Sequence, residues 1–178
     1  MAVVSAPSWP PAPLRRLAAV DFELALLAVL VVEGWKPLAR WEHGLPAARH
    51  DDLAALGLRS RAIRRRTTAG TVVLETAISR DTGPIELYAE ALDHTPLRID
   101  AALARLEGWL FGFPPCCVMA YVEHGYAANA LAPAVQAELF HWACPGCTIT
   151  PRLLPHHRDV ARRLRACLAA TDDAPPSP

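Results

Sequence analysis

Four of the five cysteines stand in two tight pairs. Cys116 and Cys117 are adjacent, behind Pro114 and Pro115, in the stretch FGFPPCCV. Cys144 and Cys147 form a C-x-x-C, CPGC, with His141 three residues ahead of it. Thiolates are soft ligands for zinc and iron, and they are also the nucleophiles of disulfide exchange. A C-x-x-C turn bends so that both sulfurs converge on one ion, and Gly146 relieves the turn. Twenty-six residues separate Cys117 from Cys144, enough chain to fold back and bring the pairs together. The expected ligands are Cys116, Cys117, Cys144 and Cys147, with His141 as a further candidate and His156 in reserve. Zinc is the first expectation, an iron–sulfur cluster the second and a redox dithiol the third.

The elements around the pairs favour this chemistry. Proline suits the first turn of a helix, so Pro114-Pro115 places Cys116 and Cys117 at a helix N-terminus running through CCVMAYVEHG. Outward N–H groups and the positive dipole end favour thiolates there. Successive helical residues diverge by roughly 100°, so one of the two thiols could face a metal while the other packs. Upstream, Asp100 is a candidate N-cap for a helix carrying Leu103, Leu106, Leu110 and Phe113 on one stripe. Downstream, PAVQAELFHW is expected to be a helix leading into CPGC, and HHRDVARRLRACLAA a final helix with Val160, Leu164 and Cys167 on one face. Trp109 and Trp142 flank the cysteine segments and are expected to shield them.

The N-terminal half divides differently. A helix is expected to start at Pro13 and run to Gly34, apolar on most faces after Phe22 and therefore central. Residues 36–46 read as a connector, followed by a short helix, AARHDDLAAL, stopped by Gly57. In TVVLETAIS, Val72, Leu74, Thr76 and Ile78 alternate with their neighbours. After DTGP, Ile85, Leu87 and Ala89 alternate again, which predicts a hairpin. RSRAIRRRTT, residues 59–68, is a third strand candidate. The fold class is thus α+β: N-terminal helices, a small antiparallel β-meander and a helical C-terminal half carrying the cysteines. Residues 1–13 and 171–178 are proline-rich and expected to be disordered tails around a single domain, 14–170.

The chain has 178 residues, 52% hydrophobic, with 18 basic and 18 acidic side chains. That composition suits one globular domain and excludes an intrinsically disordered chain. Zero net charge removes any global attraction to nucleic acid or acidic lipid and leaves self-association open. The most apolar run, residues 24–32, is too short to span a membrane. The first 13 residues lack the basic start and apolar core of an export signal, so a cytoplasmic location is expected. Clustered cysteines there are metal ligands or redox groups more often than structural disulfides.

Phe111, Gly112, Phe113, Pro114, Cys116, Cys117 and Val118, followed by Cys144, Cys147 and Thr150, resemble the domain of unknown function 483 family. Its pattern is an aromatic-Gly-aromatic-Pro-x-Cys-Cys-Val turn, then a C-x-x-C with a hydroxyl residue two or three positions later. The likeness covers roughly residues 98–165. It implies that the two cysteine pairs belong to one motif, and it implies no reaction.

The remaining features are weaker. Arg59, Arg61, Arg64, Arg65 and Arg66 could touch phosphate, or simply solvate an edge strand. The absence of interleaved aromatics favours the second reading. Glu123 and His124 could serve as acid–base groups or stand as surface residues. There is no G-x-S-x-G, P-loop, G-x-G-x-x-G or H-E-x-x-H. The expected functions, in order, are a metal-binding protein; a thiol oxidoreductase whose low-pKa thiol is Cys116 or Cys117; and a nucleic-acid-binding accessory protein using the arginine strand.

Overall fold

The computed structural model describes residues 9–97 and 100–170. The elements are α1 (Pro11–Ala18), α2 (Phe22–Val32), β1 (Leu38–Trp41), α3 (Ala47–Ala55), β2 (Arg59–Arg66), β3 (Val72–Ser79), α4 (Thr82–Leu92), α5 (Ala101–Leu110), α6 (Pro115–His124), α7 (Pro133–Gln136) and α8 (Thr150–Ala169). The class is α+β, with the cysteines in the helical C-terminal half.

The sheet is antiparallel with strand order β1-β3-β2. Central β3 pairs Ser79 with both Leu38 and Arg59. Both faces of the sheet are covered. Ala39, Trp41 and Ile78 point into a core built on α2, whereas Leu38, Ile63 and Ala77 point into a second core with Ile85, Tyr88 and Leu92 of α4. A strand buried on two faces loses clean alternation, and β3 is buried at every position from Glu75 to Ser79.

Several elements depart from the expected pattern. The helix expected to run to Gly34 is two helices. Asp21 breaks it by accepting the Glu23 N–H at 2.7 Å, an N-cap that starts α2 afresh. The connector contains β1. The segment expected to be a strand at 85–90 is inside α4: Ile85, Tyr88, Ala89 and Leu92 are its buried residues, a helical spacing that the six-residue alternation concealed. The hairpin is formed by β2 and β3 instead. The N-terminal tail is shorter than expected, because Trp9 is buried and Pro11 to Pro13 already belong to α1. Residues 1–8 and 171–178 lie outside the described residues.

In the C-terminal half, α7 is a single short turn rather than a helix reaching Trp142. The Gln136 side chain organises the loop between α7 and CPGC. Its Oε1 accepts from Asn129 Nδ2 at 2.7 Å and from the Ala143 N–H at 3.3 Å, while its Nε2 donates to the His141 carbonyl at 2.8 Å. The last helix starts at Thr150, six residues before His156, and carries Pro155 within it. It is fastened to α2 by buried Val160 and Leu164 and by Arg163, which grips both oxygens of Glu33 at 2.6 and 2.7 Å.

Candidate metal centre

The FGFPP stretch forms the turn that aims α6. Helix α5 ends in a Schellman arrangement: Phe113 N–H donates to the Gly108 carbonyl at 2.8 Å and Gly112 N–H to the Trp109 carbonyl at 3.2 Å. Gly112 takes φ +69°, the left-handed conformation this stop requires. Pro114 then occupies the N-cap of α6 and Pro115 its first turn. Helices α5 and α6 approach closely at Gly108, where a Cβ would lie 2.3 Å from Val118 Cγ2.

Cys116 and Cys117 therefore open α6, and both point toward the C-x-x-C loop. Cys147 Sγ is 3.7 Å from Cys116 Sγ and 3.4 Å from Cys117 Sγ. The sulfurs of Cys116, Cys117, Cys144 and Cys147 all lie within 4.8 Å of one another, a group within metal-binding distance. Adjacent helical residues reach one point because side chains tilt toward the helix N-terminus, and the group sits beyond that end. Cys116 is exposed, Cys117 buried, and the C-x-x-C pair intermediate. Gly146 turns the loop with φ +69°.

Hydrogen bonds address the sulfurs individually. The Cys144 N–H donates to Cys117 Sγ at 3.3 Å and the Thr150 N–H to Cys147 Sγ at 3.3 Å. The Thr150 hydroxyl lies 3.2 Å from Cys147 Sγ and 2.9 Å from His141 Nε2. A thiolate only accepts, so Thr150 donates to Cys147 and accepts from a His141 that carries its proton on Nε2. Burial, with the nearby charge of Lys36, holds His141 down to about 4, so its ring is neutral near pH 7.

The thiols do not share one acidity. Burial pushes the Cys117 thiol well up despite the Cys144 N–H. Burial also opposes ionisation of Cys147, but the Thr150 hydroxyl and N–H, with Cys117 and the Ile149 N–H, outweigh it and take the thiol down to about 6. A low-pKa thiol was expected at Cys116 or Cys117; burial raises Cys117, and the thiol that its hydrogen bonds lower is Cys147. At α6 the Cys117 and Val118 N–H groups turn back to the Pro114 carbonyl, at 2.9 and 3.1 Å, rather than toward the sulfurs.

The two histidines fall outside the group of four cysteines. His141 stands behind Thr150, and His156 stacks on Trp35 with ring centroids 4.4 Å apart. Cys167 packs on the α2 core. Trp109 is 68% exposed and shields nothing, whereas Trp142 is anchored by Nε1–H to the Ala127 carbonyl at 2.6 Å. Glu123 and His124 are an exposed pair on the surface. Sequence reasoning gave Thr150 no role at the sulfurs. Its signal was the hydroxyl residue three positions after the C-x-x-C.

The arginine strand does not present a uniform basic face. Arg65 is buried beside Glu75, Nη1 to Oε2 being 3.7 Å, and Arg61 pairs with Glu86 at 2.7 Å. Residues 94–97 cover part of the outer edge of β2, with Arg66 N–H donating to the Thr95 carbonyl at 3.0 Å.

Among the described residues no helix is long and apolar enough to cross a membrane. No family model, no curated protein and no solved structure matches the chain.

Proposed function

We propose that the four cysteines hold a single zinc ion whose role is to fasten the C-terminal half of the domain. The observation carrying this reading is the sulfur spacing. A tetrahedral site with Zn–S near 2.3 Å has S···S edges of about 3.8 Å, and two of the edges here are 3.4 and 3.7 Å. An iron–sulfur cluster spreads its thiolates around several irons and bridging sulfides, so four sulfurs within 4.8 Å suit one ion better. The N–H···S bonds to Cys117 and Cys147 support the same reading, because they stabilise thiolates without adding net charge. Such an ion would join the start of α6, the CPGC loop and the start of α8.

The resemblance to the domain of unknown function 483 family supports treating both pairs and Thr150 as one motif. Four reduced thiols suit the cytoplasm. Zero net charge favours a protein partner, a second copy of this chain included, over a polyanion. The paired arginines of β2 argue against nucleic acid as that partner.

A second reading has one observation in its favour. Cys116 is exposed and its sulfur stands 3.7 Å from that of Cys147. Metal-free, these two thiols could reduce a disulfide substrate, passing it two electrons and two protons while closing a disulfide themselves.

Metal analysis of untagged protein purified without oxygen separates the readings. Zinc at about one per chain in a colourless protein is expected. Cys144→Ser with Cys147→Ser, or a strong chelator, is expected to remove the zinc and lower the melting temperature. A double variant that melts like the wild type would sink the structural role. Visible absorbance with bound iron and sulfide would replace zinc by a cluster.

A further inference from the structure

Lys36 lies between α2 and β1 and is only 5% exposed. Its Nζ donates to the Phe111 carbonyl at 3.2 Å and stands 4.8 Å from the ring centroids of both Phe113 and Phe140. Among the described residues no carboxylate lies within ion-pair distance of it, and Glu23 acts on it only from farther off. An ammonium has three donors, and here one meets a carbonyl, with two aromatic rings close to the same nitrogen. A buried cation without a counter-ion is costly, and proteins rarely keep one without a use for it.

Lys36 lines a cleft of about 780 Å³ between β1, α5, α6 and the loop that leads into CPGC. That volume is in the range of small-molecule sites. Aromatic side chains, among them Trp41, Phe111, Phe113, Tyr121, Phe140 and Trp142, share its walls with charged and polar ones. The other cations lining it are already matched. Arg40 pairs with Glu42 at 2.9 Å and Glu107 at 3.1 Å, and Arg65 with Glu75 at 3.7 Å. Of the lining acids, Asp21 and Asp100 cap α2 and α5. Glu23 forms no ion pair among the described residues, and burial together with Asp21 and Glu42 pushes its carboxyl up, a rise that the charge of Lys36 offsets only in part.

We propose that this cleft binds a small monocarboxylic acid with a flat apolar body, the carboxylate serving as the counter-ion that Lys36 lacks. The aromatic walls take the flat body. A single ammonium gives one charge-assisted bond, which suits a carboxylate. A phosphate calls for several donors, and both cleft arginines are engaged. The proposal is independent of the metal, although Cys117 and His141 line the same cleft.

Titration calorimetry at pH 6, where Lys36 carries its proton, with 1-naphthoate and with uncharged 1-naphthalenemethanol tests it. The wild type is expected to bind naphthoate saturably and about tenfold or more tighter than the alcohol. Lys36→Met keeps the chain length and removes the charge, and is expected to bind the two probes alike. Ala104→Phe, which fills the cleft from α5, is expected to abolish binding of both with its circular dichroism unchanged. Non-saturable naphthoate binding, equal affinity for acid and alcohol in the wild type, or binding that survives Ala104→Phe overturns the proposal. A preference for the acid that persists in folded Lys36→Met overturns it as well.

Discussion

Thr150 holds Cys147 twice, through its N–H at 3.3 Å and its hydroxyl at 3.2 Å, and is itself held by His141 at 2.9 Å. Thr150 is also the first residue of α8. The same residue thus starts the last helix and fixes the orientation of one sulfur. Partners of this kind set the direction and basicity of a ligand, and losing one typically weakens metal affinity by about 10–100-fold. Thr150→Val keeps the shape and removes the hydroxyl, so competition with a zinc-binding dye should show a loss of that order. Thr150→Ser should restore most of it. Equal affinities for the Val variant and the wild type would leave the hydroxyl without a role at the site.

The cysteine pairs were legible because their information is local: two prolines, two thiols, a C-x-x-C. The partners of those sulfurs were not, because His141 and Thr150 meet only across a folded loop that the Gln136 side chain holds. The sheet shows the same division. Val72 to Ser79 reads as a strand by itself, but β1 is four residues of connector that become a strand only by pairing with β3. Residues 85–90 fit period two and a helical period equally well. The tie is broken by Leu92 and by the second core of the domain, where the α4 face packs on the sheet. Local pattern decides an element where one period is satisfied, and tertiary packing decides where two are.

At Gly108 α5 packs directly on Val118 of α6, and the consequence reaches the cysteines. A Cβ there would stand 2.3 Å from Val118 Cγ2 and 2.9 Å from Cγ1. Gly108→Ala is therefore expected to force the helices apart and to destabilise the fold by roughly 1–3 kcal/mol, although alanine favours helix. Val118→Ala in the same chain should recover most of the loss. Denaturant melts of the two single variants and the double variant measure the coupling, and additive effects would contradict the close approach.

The acid limb of stability should bear the mark of His157. Burial, followed by the charges of Lys36 and His156, holds its imidazole down to about 4, and its Nδ1 is buried without a hydrogen-bond partner among the described residues. With a folded value below the ordinary 6.5, the unfolded chain binds more protons between those two pH values. The contribution is complete above pH 6.5 and is lost as pH falls toward 4, and below that the slope from this group vanishes. His141 adds to the same window. Melts from pH 7 to 4 should therefore steepen downward in wild type and less so in His157→Phe. A ring proton titration of His157 near 6.5 in the folded protein would contradict the burial argument.

Lys36 sets the opposite limb. Burial, followed by the charge of Arg40, takes its ammonium down to about 7, against the usual 10.5. Between those values the unfolded chain holds the proton that the folded chain has released, so stability should rise as pH climbs from 7 to 10.5. Below pH 7 the cost of the buried charge is present in full, and above 10.5 both states are neutral. Lys36→Met removes the ionisable group, and replacing a buried charge by an apolar side chain of similar size is commonly neutral to stabilising by roughly 1–4 kcal/mol. The variant should thus gain most over wild type at pH 6 to 7, with the gain shrinking toward pH 10. The ordering of the two curves is the informative part, because a merely structural lysine would leave them parallel. A saturating monocarboxylate should close the gap at neutral pH by supplying the counter-ion to wild type alone.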